Sequence, residues 1–173
     1  LVVVPTRELA EQIKNEILKF GKYTRQSVTA IYGGVSINPQ YDSLKRADIV
    51  IGTPGRLVDH IMRNSINLRN INYLVLDEAD RMVSMGFIED VERIIQSTPG
   101  SRQMMLFGAT IGQEILRLKE RYMKNPETIG KIQQIEQSYL NQVYYQIEER
   151  EKFSMLVHLI KKEQPVSEVQ SNT

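Results

Sequence analysis

The chain has 173 residues, 41% of them hydrophobic and 25% charged, which is typical of one globular domain with an appendage and excludes disorder over most of the length. Its formal net charge of +1 excludes a strongly basic nucleic-acid-binding protein, so any such binding must come from local arrangement. Cysteine is absent and no apolar run reaches the roughly 20 residues of a membrane helix, so we expect an intracellular protein, cytoplasmic or nuclear, without a membrane partner.

Short β-branched runs alternate with helical patterns, which predicts βαβ units, a mainly parallel sheet and the α/β fold class. The predicted strands span residues 1–4, 27–32, 48–51, 74–76 and 104–107. Helices are predicted after Pro5, at 40–45, from Leu57 onward, and at 78–84, 88–96 and 113–124. The residues predicted on the apolar faces of the first and third helices are Leu9, Ile13, Ile17 and Phe20, and Leu57, Ile61 and Met62.

An acidic pair, Asp77 and Glu78, directly follows a buried strand. Ligands of open α/β sheets bind outside the carboxyl ends of the strands, so this pair is placed to hold a metal and a water. In P-loop nucleotidases an Asp in this setting holds Mg²⁺ and a further residue orients the attacking water. Asp77 is the candidate for the first role and Glu78 for the second. The alternative is that Asp77 only caps the helix at 78–84.

Four other loops after strands combine small residues, hydroxyls and arginine, a composition that suits a sugar-phosphate backbone. None reads base edges in an obvious way, which predicts binding that does not depend on nucleotide sequence. Ordinary turn chemistry is the alternative for each loop taken singly. The loops are Pro5-Thr6-Arg7, Gly33-Gly34, Thr53-Pro54-Gly55-Arg56 and Gly108-Ala109-Thr110.

These loops and the segment Asp77-Glu78-Ala79-Asp80, here called the acidic tetrad, resemble in order and spacing successive signatures of the DEAD-box RNA helicases. The resemblance covers residues 1 to about 150 and includes the segments 81–82 and 85–87 behind the tetrad. The segments that carry it are Pro5-Thr6-Arg7-Glu8-Leu9-Ala10, Gly33-Gly34, Thr53-Pro54-Gly55-Arg56, Asp77-Glu78-Ala79-Asp80 and Gly108-Ala109-Thr110.

The resemblance implies the first RecA-like domain, a three-layer P-loop NTPase fold, of an ATP-dependent enzyme that unwinds or remodels RNA. By similarity, Asp77 serves Mg²⁺-ATP, through water, and Glu78 activates the attacking water. Asp80 would help couple the nucleotide site to the second domain, and Gly108 and Thr110 fall on the motif that links hydrolysis to unwinding in the family. The positions that the resemblance assigns to RNA phosphates are Pro5, Thr6, Arg7, Gly33, Gly34, Thr53, Pro54, Gly55 and Arg56.

Two departures from the family pattern change what we expect of this chain. No G-x-x-x-x-G-K-[ST] occurs, so the phosphate-cradling loop is missing, and with an opening strand and no initial Met this favours N-terminal truncation. The 173 residues alone are therefore predicted to be inactive. Gly108 stands where the family usually has Ser, and the lost hydroxyl predicts weak coupling of hydrolysis to unwinding in the parent protein.

The chain beyond residue 125 changes character. We expect a RecA-like domain at 1–132, an extended linker at 133–149, and at 150–173 the start of a second RecA-like domain with a disordered tail. The amphipathic helix predicted at 151–163 would lack its usual sheet, so self-association through it is one expectation.

Three further features have no predicted function. His60 and His158 are expected to be surface histidines rather than metal ligands. Tyr139, Tyr144 and Tyr145 are better explained by packing than by base stacking. Met104 and Met105 are expected in the core.

Two hypotheses of different class remain open from the sequence. One is an ATP-dependent RNA helicase of which this chain is a fragment. The other is a non-catalytic RNA-binding or scaffolding module that keeps the fold and the phosphate-facing loops but never hydrolyses ATP. A DNA helicase of a related superfamily is disfavoured, because those proteins tend to carry a different fourth residue in the acidic tetrad.

Overall fold

The computed structural model describes residues 1–130 and 145–163, and the chain divides into two compact units, Leu1–Gly130 and Lys131–Thr173. Strands and helices alternate through the first unit, as the sequence predicts. The strands are β1 (Val2–Val3), β2 (Val28–Ile31), β3 (Ile49–Gly52), β4 (Tyr73–Leu76) and β5 (Gln103–Leu106). The helices are α1 (Arg7–Phe20), α2 (Asn38–Leu44), α3 (Pro54–Met62), α4 (Ala79–Ser84), α5 (Ile88–Gln96) and α6 (Gln113–Tyr122).

The five strands form one sheet in the order β2-β3-β1-β4-β5, and all its pairings are parallel. The central strand β1 pairs with a strand on each side, and Val2 lies opposite both Ile51 of β3 and Val75 of β4. The predicted parallel α/β sheet is confirmed.

Alternate residues of the central strands enter two separate hydrophobic cores. Val3 and Val50 belong to the larger core, whereas Val4 and Ile51 belong to the smaller one. Because successive strand residues point to opposite faces, both faces of the sheet are covered. Helix α1 covers the smaller core and helices α3 to α6 cover the larger one. The result is the three-layer arrangement expected of a parallel sheet.

Two residues predicted on apolar helix faces are exposed instead. The side chain of Phe20 is 85% exposed and that of Met62 is 69% exposed. Each is the last residue of its helix and lies at the edge of the apolar stripe. The helix ends there, so its side chain extends beyond the part of the helix that packs on the sheet. Met104 is a core-facing residue as predicted, packed against the larger core, and Met105 is half-buried.

His60 is buried, so its predicted surface position is wrong. Its Nδ1 lies 2.8 Å from the hydroxyl of Ser65 and its Nε2 lies 3.2 Å from Oε1 of Gln40. A neutral imidazole satisfies both contacts by donating from Nε2 and accepting at Nδ1. The ring also meets Tyr41 edge-on, with 5.5 Å between centroids. Helical periodicity could not reveal this position, because two polar partners on other segments are needed to satisfy the buried ring.

The second unit contains a 3₁₀ turn at Glu149–Glu151 followed by helix α7 (Lys152–Glu163), close to the helix predicted at 151–163. Its apolar residues Phe153, Leu156 and Ile160 are exposed. Residues 127–130 contain no strand. Residues 145–148, the end of the second extended passage predicted, also contain no strand. Residues 131–135 and 142–144 of the predicted extended passages, Tyr139, Tyr144 and the tail from Pro165 lie outside the described residues. Within residues 1–130 and 145–163, no helix is long and apolar enough to cross a membrane.

Candidate functional site

All the predicted site residues follow strands that end at one edge of the sheet. Because every pairing is parallel, the carboxyl ends of the five strands meet there, as the sequence predicts. The strand order divides the site residues into two adjacent sets. The loops assigned to RNA phosphates follow β2, β3 and β1, whereas the acidic tetrad and the Gly108-Ala109-Thr110 segment follow β4 and β5.

Asp77 is the first residue beyond β4 and its position is fixed by backbone contacts. Its N–H donates to the carbonyl of Val3 on the central strand, at 2.9 Å. One oxygen of its carboxylate, Oδ1, accepts the N–H of Glu78, at 2.9 Å. The half-buried side chain therefore stands at the sheet edge with a second carboxylate oxygen still available for a cation or a water.

Glu78 adopts left-handed backbone angles, φ 48° and ψ 46°. For a residue with a Cβ this conformation costs about 1–2 kcal/mol. It occupies the N-cap position of α4, yet no side-chain cap bond forms there; Oε2 instead pairs with Nη1 of Arg81, at 2.9 Å. Strained backbone of this kind concentrates at functional sites. For the capping alternative, which concerned Asp77, the contact is to the N–H of the N-cap residue Glu78 rather than to an N–H of the first turn of α4.

Asp80 joins the acidic tetrad to the segment after β5. Its Oδ2 accepts two hydrogen bonds from Thr110, one from the backbone N–H at 2.9 Å and one from the hydroxyl at 2.8 Å. Burial of the carboxyl is the largest single influence and raises its pKa. The hydrogen bonds from Thr110 and from the backbone N–H groups of Arg81 and Asp80 together outweigh burial, so the pKa of Asp80 is lowered. A Cβ placed on Gly108 would lie 3.0 Å from Oδ1 of Asp80. Of the three residues predicted to act in coupling, Asp80 and Thr110 are therefore in direct contact, and Gly108 lies beside the Asp80 carboxylate.

The first loop assigned to RNA leads into helix α1. Thr6 is the N-cap residue, and its hydroxyl accepts the N–H of Leu9 at 3.2 Å. Pro5 is buried, whereas Arg7 is exposed. The guanidinium carbon of Arg7 lies over the ring of Tyr32, 4.8 Å from its centroid. A helix N-terminus beside an arginine is a favourable place for an anion.

The second loop follows β2 and presents open backbone. Gly33 and Gly34 are exposed, and a Cβ on either would meet no atom within 4 Å. Gly34 has φ +78°, a conformation that glycine adopts without strain. The loop therefore leaves room for a close approach of another backbone.

The third loop begins helix α3. Thr53 is the N-cap residue but makes no side-chain cap bond, Pro54 is buried at the first helical position, and Gly55 is exposed. Arg56 differs from Arg7 because its side chain is only 11% exposed. Its Nη2 donates to the carbonyl of Val35 at 2.9 Å, and its buried Nη1 has no partner within the described part of the chain. In this conformation Arg56 ties the Gly33-Gly34 loop to α3.

Sequence reasoning missed two residues that the fold brings to this edge. Tyr32 precedes the two glycines, and its hydroxyl donates to Oε1 of Glu11 at 2.6 Å. This hydrogen bond lowers the pKa of Glu11 and raises that of Tyr32. The signal in the sequence is slight, an aromatic residue directly before Gly33 and an acid four residues after Arg7.

The chemistry of the site suits magnesium bound through water. Within residues 1–130 and 145–163, no group of three or more His, Cys, Asp and Glu side chains is arranged to hold a metal ion. Mg²⁺ keeps several waters and commonly takes only one or two carboxylates together with substrate phosphates. Asp77, with one carboxylate oxygen held by a backbone N–H, fits that requirement.

A parallel sheet that gathers an acidic tetrad and phosphate-suited loops at one edge, with helices on both faces, defines a three-layer α/β protein. The family model described as DEAD/DEAH box helicase matches residues 1–118. The chain belongs to this family, which confirms the resemblance seen in the motifs.

Known relatives and structures agree with the family. The chain is 44% identical over 167 residues to the DEAD-box ATP-dependent RNA helicase CshA of Bacillus subtilis, covering 95% of this chain and 34% of the relative. A crystal structure of a DEAD box protein from Methanococcus jannaschii matches with TM-score 0.72 and 42% identity, over 92% of this chain and 44% of that one. A hypothetical ATP-dependent RNA helicase from Sulfolobus tokodaii matches with TM-score 0.69 and 39% identity, over 73% and 38%. The chain thus spans about a third of the length of its curated relatives.

Proposed function

We propose that the full-length protein is an ATP-dependent RNA helicase, which unwinds RNA or remodels RNA-protein complexes. The observation that carries the proposal is the division of one sheet edge into an acidic half and a phosphate-suited half. Hydrolysis and strand binding would then take place on adjacent loops of one rigid sheet. The names of the relatives, DEAD-box ATP-dependent RNA helicases, support the same activity.

In the acidic half, Asp77 would hold Mg²⁺ through water and Glu78 would orient the attacking water. Bound there, Mg²⁺ would neutralise charge on the nucleotide phosphates. The exposed ion pair of Glu78 with Arg81 is weak, so the carboxylate can leave it to accept a proton from water. Asp80, held by Thr110, would pass changes at the nucleotide to the segment after β5.

In the other half, RNA would bind through its phosphates and without regard to sequence. The N-termini of α1 and α3 and the guanidinium of Arg7 supply positive charge, and Gly33 and Gly34 allow close backbone approach. The hydroxyl of Thr53 makes no cap bond and is free of that role, so it can donate to a phosphate. Gly55 is exposed in the first turn of α3, where its backbone can approach the strand. We assign Pro5, Thr6, Pro54 and Arg56 to shaping these loops as well as to the RNA site.

We further propose that residues 1–132 form a first RecA-like domain, 133–149 a linker, and 150–173 the start of a second domain. The exposed apolar residues of α7 are those that such a domain would cover. Self-association through α7 stays a prediction. The 173 residues contain no G-x-x-x-x-G-K-[ST], so we expect them not to hydrolyse ATP by themselves.

RNA-stimulated ATP hydrolysis by the full-length protein tests the proposal, with Glu78→Gln as the variant. We expect the substitution to abolish hydrolysis while RNA binding in the presence of ATP is retained, because the amide keeps the size of the side chain but cannot act as a base. Hydrolysis that is absent from the unaltered protein, with RNA binding intact, would instead identify a non-catalytic RNA-binding module. Hydrolysis unaffected by the substitution would contradict the role of Glu78.

A further inference from the structure

The guanidinium of Arg7 is held in an unusual way for an exposed arginine at a phosphate site. It lies over the face of Tyr32, 4.8 Å from the ring centroid. The Glu11 carboxylate attracts it by charge, but the two form no salt bridge within the described residues. A cation over a ring is attracted by the ring quadrupole, and this attraction needs no N–H donor. The guanidinium also forms a hydrogen bond with the Tyr32 hydroxyl, so the remaining N–H donors are available to a phosphate while the side chain is held.

The ring of Tyr32 is itself fixed from two directions. Its hydroxyl donates to Oε1 of Glu11 at 2.6 Å, and the backbone carbonyl of Tyr32, which carries the ring, accepts from Nε2 of the buried Gln40 at 3.2 Å. Oε2 of Glu11 is paired in turn with Lys14 at 3.1 Å. The ring therefore has little freedom to move away from beneath Arg7.

We propose that Tyr32, fixed by Glu11, is a positioning residue that orders Arg7 for binding to an RNA phosphate. This inference rests on the proposed RNA-binding function and adds two residues to it. An unrestrained arginine loses side-chain rotamer freedom when a ligand fixes it, and this loss opposes binding. Ordering it beforehand on Tyr32 removes part of that cost from binding, which is the general advantage of preorganisation.

The geometry distinguishes this role from packing alone. A tyrosine needed only to fill space beside α1 would be replaceable by another apolar side chain of similar size. Here the ring face meets a cation and the ring edge carries a hydroxyl bound to a carboxylate, so Leu at this position would lose both contacts. Phe would keep the face and lose only the hydroxyl.

A double-mutant cycle with Arg7→Ala and Tyr32→Leu in the full-length protein tests the inference. The measurement is the affinity for a fluorescein-labelled oligouridylate, by fluorescence anisotropy, with Mg²⁺ and a non-hydrolysable ATP analogue. A cation–π contact at an exposed site is worth about 0.5–1 kcal/mol, so Tyr32→Leu should weaken binding about two- to five-fold. In the Arg7→Ala background it should have no further effect. Tyr32→Phe should cost less than Tyr32→Leu.

The salt dependence of binding supplies a readout that a general loss of packing would not change. The slope of log K against log salt concentration is negative, and Arg7→Ala should reduce its magnitude by about 0.7, the value for one phosphate contact on a single strand. Tyr32→Leu should reduce the magnitude by a fraction of that amount. Tyr23→Leu is the matched control, because that tyrosine is 92% exposed and has no contact with the site loops. It should leave both affinity and slope unchanged.

The possible outcomes separate the positioning role of Tyr32 from the assignment of Arg7 to RNA. If Arg7→Ala weakens binding and Tyr32→Leu does not, the positioning role is refuted and the proposed RNA site stands. If Tyr32→Leu costs the same in both backgrounds, the ring contacts RNA itself or acts through the fold, and the positioning role is again refuted. If Arg7→Ala has no effect on binding, the assignment of Arg7 to RNA fails and the role of Tyr32 fails with it. Circular dichroism melting of every variant identifies any that does not fold.

Discussion

Gly108 offers a direct test of how the acidic tetrad communicates with the segment after β5. A Cβ at this position would lie 3.0 Å from Oδ1 and 3.4 Å from Cγ of Asp80, so the carboxylate must yield by a few tenths of an ångström. Its other oxygen, Oδ2, is held by two hydrogen bonds from Thr110. The backbone of Gly108 is not left-handed, so a side chain brings no conformational strain there.

The matched substitutions are Gly108→Ser and Gly108→Ala. Both add the same Cβ and both reduce the entropy of the unfolded chain equally, so these terms cancel in the comparison. Only Ser places a hydroxyl beside Oδ1 of Asp80. A hydrogen bond to a charged group contributes about 1.5–3 kcal/mol when sheltered, and we expect about 1 kcal/mol at this exposed loop.

Two measurements check the prediction. Urea denaturation of the 173-residue chain should give Gly108→Ser a free energy of unfolding about 1 kcal/mol above that of Gly108→Ala. In the full-length protein, the amount of RNA duplex unwound per ATP hydrolysed should rise for Gly108→Ser and not for Gly108→Ala. Equal behaviour of the two variants in both assays would refute the reasoning, and an unchanged ratio of unwinding to hydrolysis would refute the predicted weak coupling.

Two stability predictions concern buried positions that shape the site. His60→Ala should lower the free energy of unfolding by about 3 kcal/mol, because it leaves a cavity and an unpaired Gln40, whereas the exposed His158→Ala should change it little. Burial lowers the pKa of His60 below its ordinary value of 6.5. The stabilisation that the neutral ring gives the folded protein is therefore present above pH 6.5 and is lost as the pH falls, because the unfolded chain binds the proton more readily. A urea midpoint that depends equally on pH in His60→Ala would contradict this. Gly52→Ala should cost about 1–3 kcal/mol, since its Cβ would lie 2.8 Å from Leu57, and Gly33→Ala, which meets nothing, is the control; equal urea midpoints would refute the packing argument.

Much of the fold follows from local patterns that the sequence displays. The period of the apolar residues located the strands and helices of the first unit to within a few residues, because side-chain direction alternates in a strand and turns by about 100° per residue in a helix. The same patterns failed at Phe20 and Met62, where exposure depends on what lies beyond a helix end. They failed at His60 because burial of the polar ring depends on partners outside its helix, Ser65 just beyond the helix end and Gln40, twenty residues away.

The sequence by itself determined the class of fold, the family, and the residues of the acidic and phosphate-suited loops. Only the tertiary structure decided their arrangement, because strand order arises from pairing between segments far apart in the chain. Placing β1 between β3 and β4 puts the three loops assigned to RNA phosphates on one half of the edge, and the acidic residues with the Gly108-Ala109-Thr110 segment on the other. The contact of Asp80 with Thr110, thirty residues later, and that of Arg7 with Tyr32 arise in the same way. No local period encodes such contacts, since they form only when the sheet brings its strand ends together.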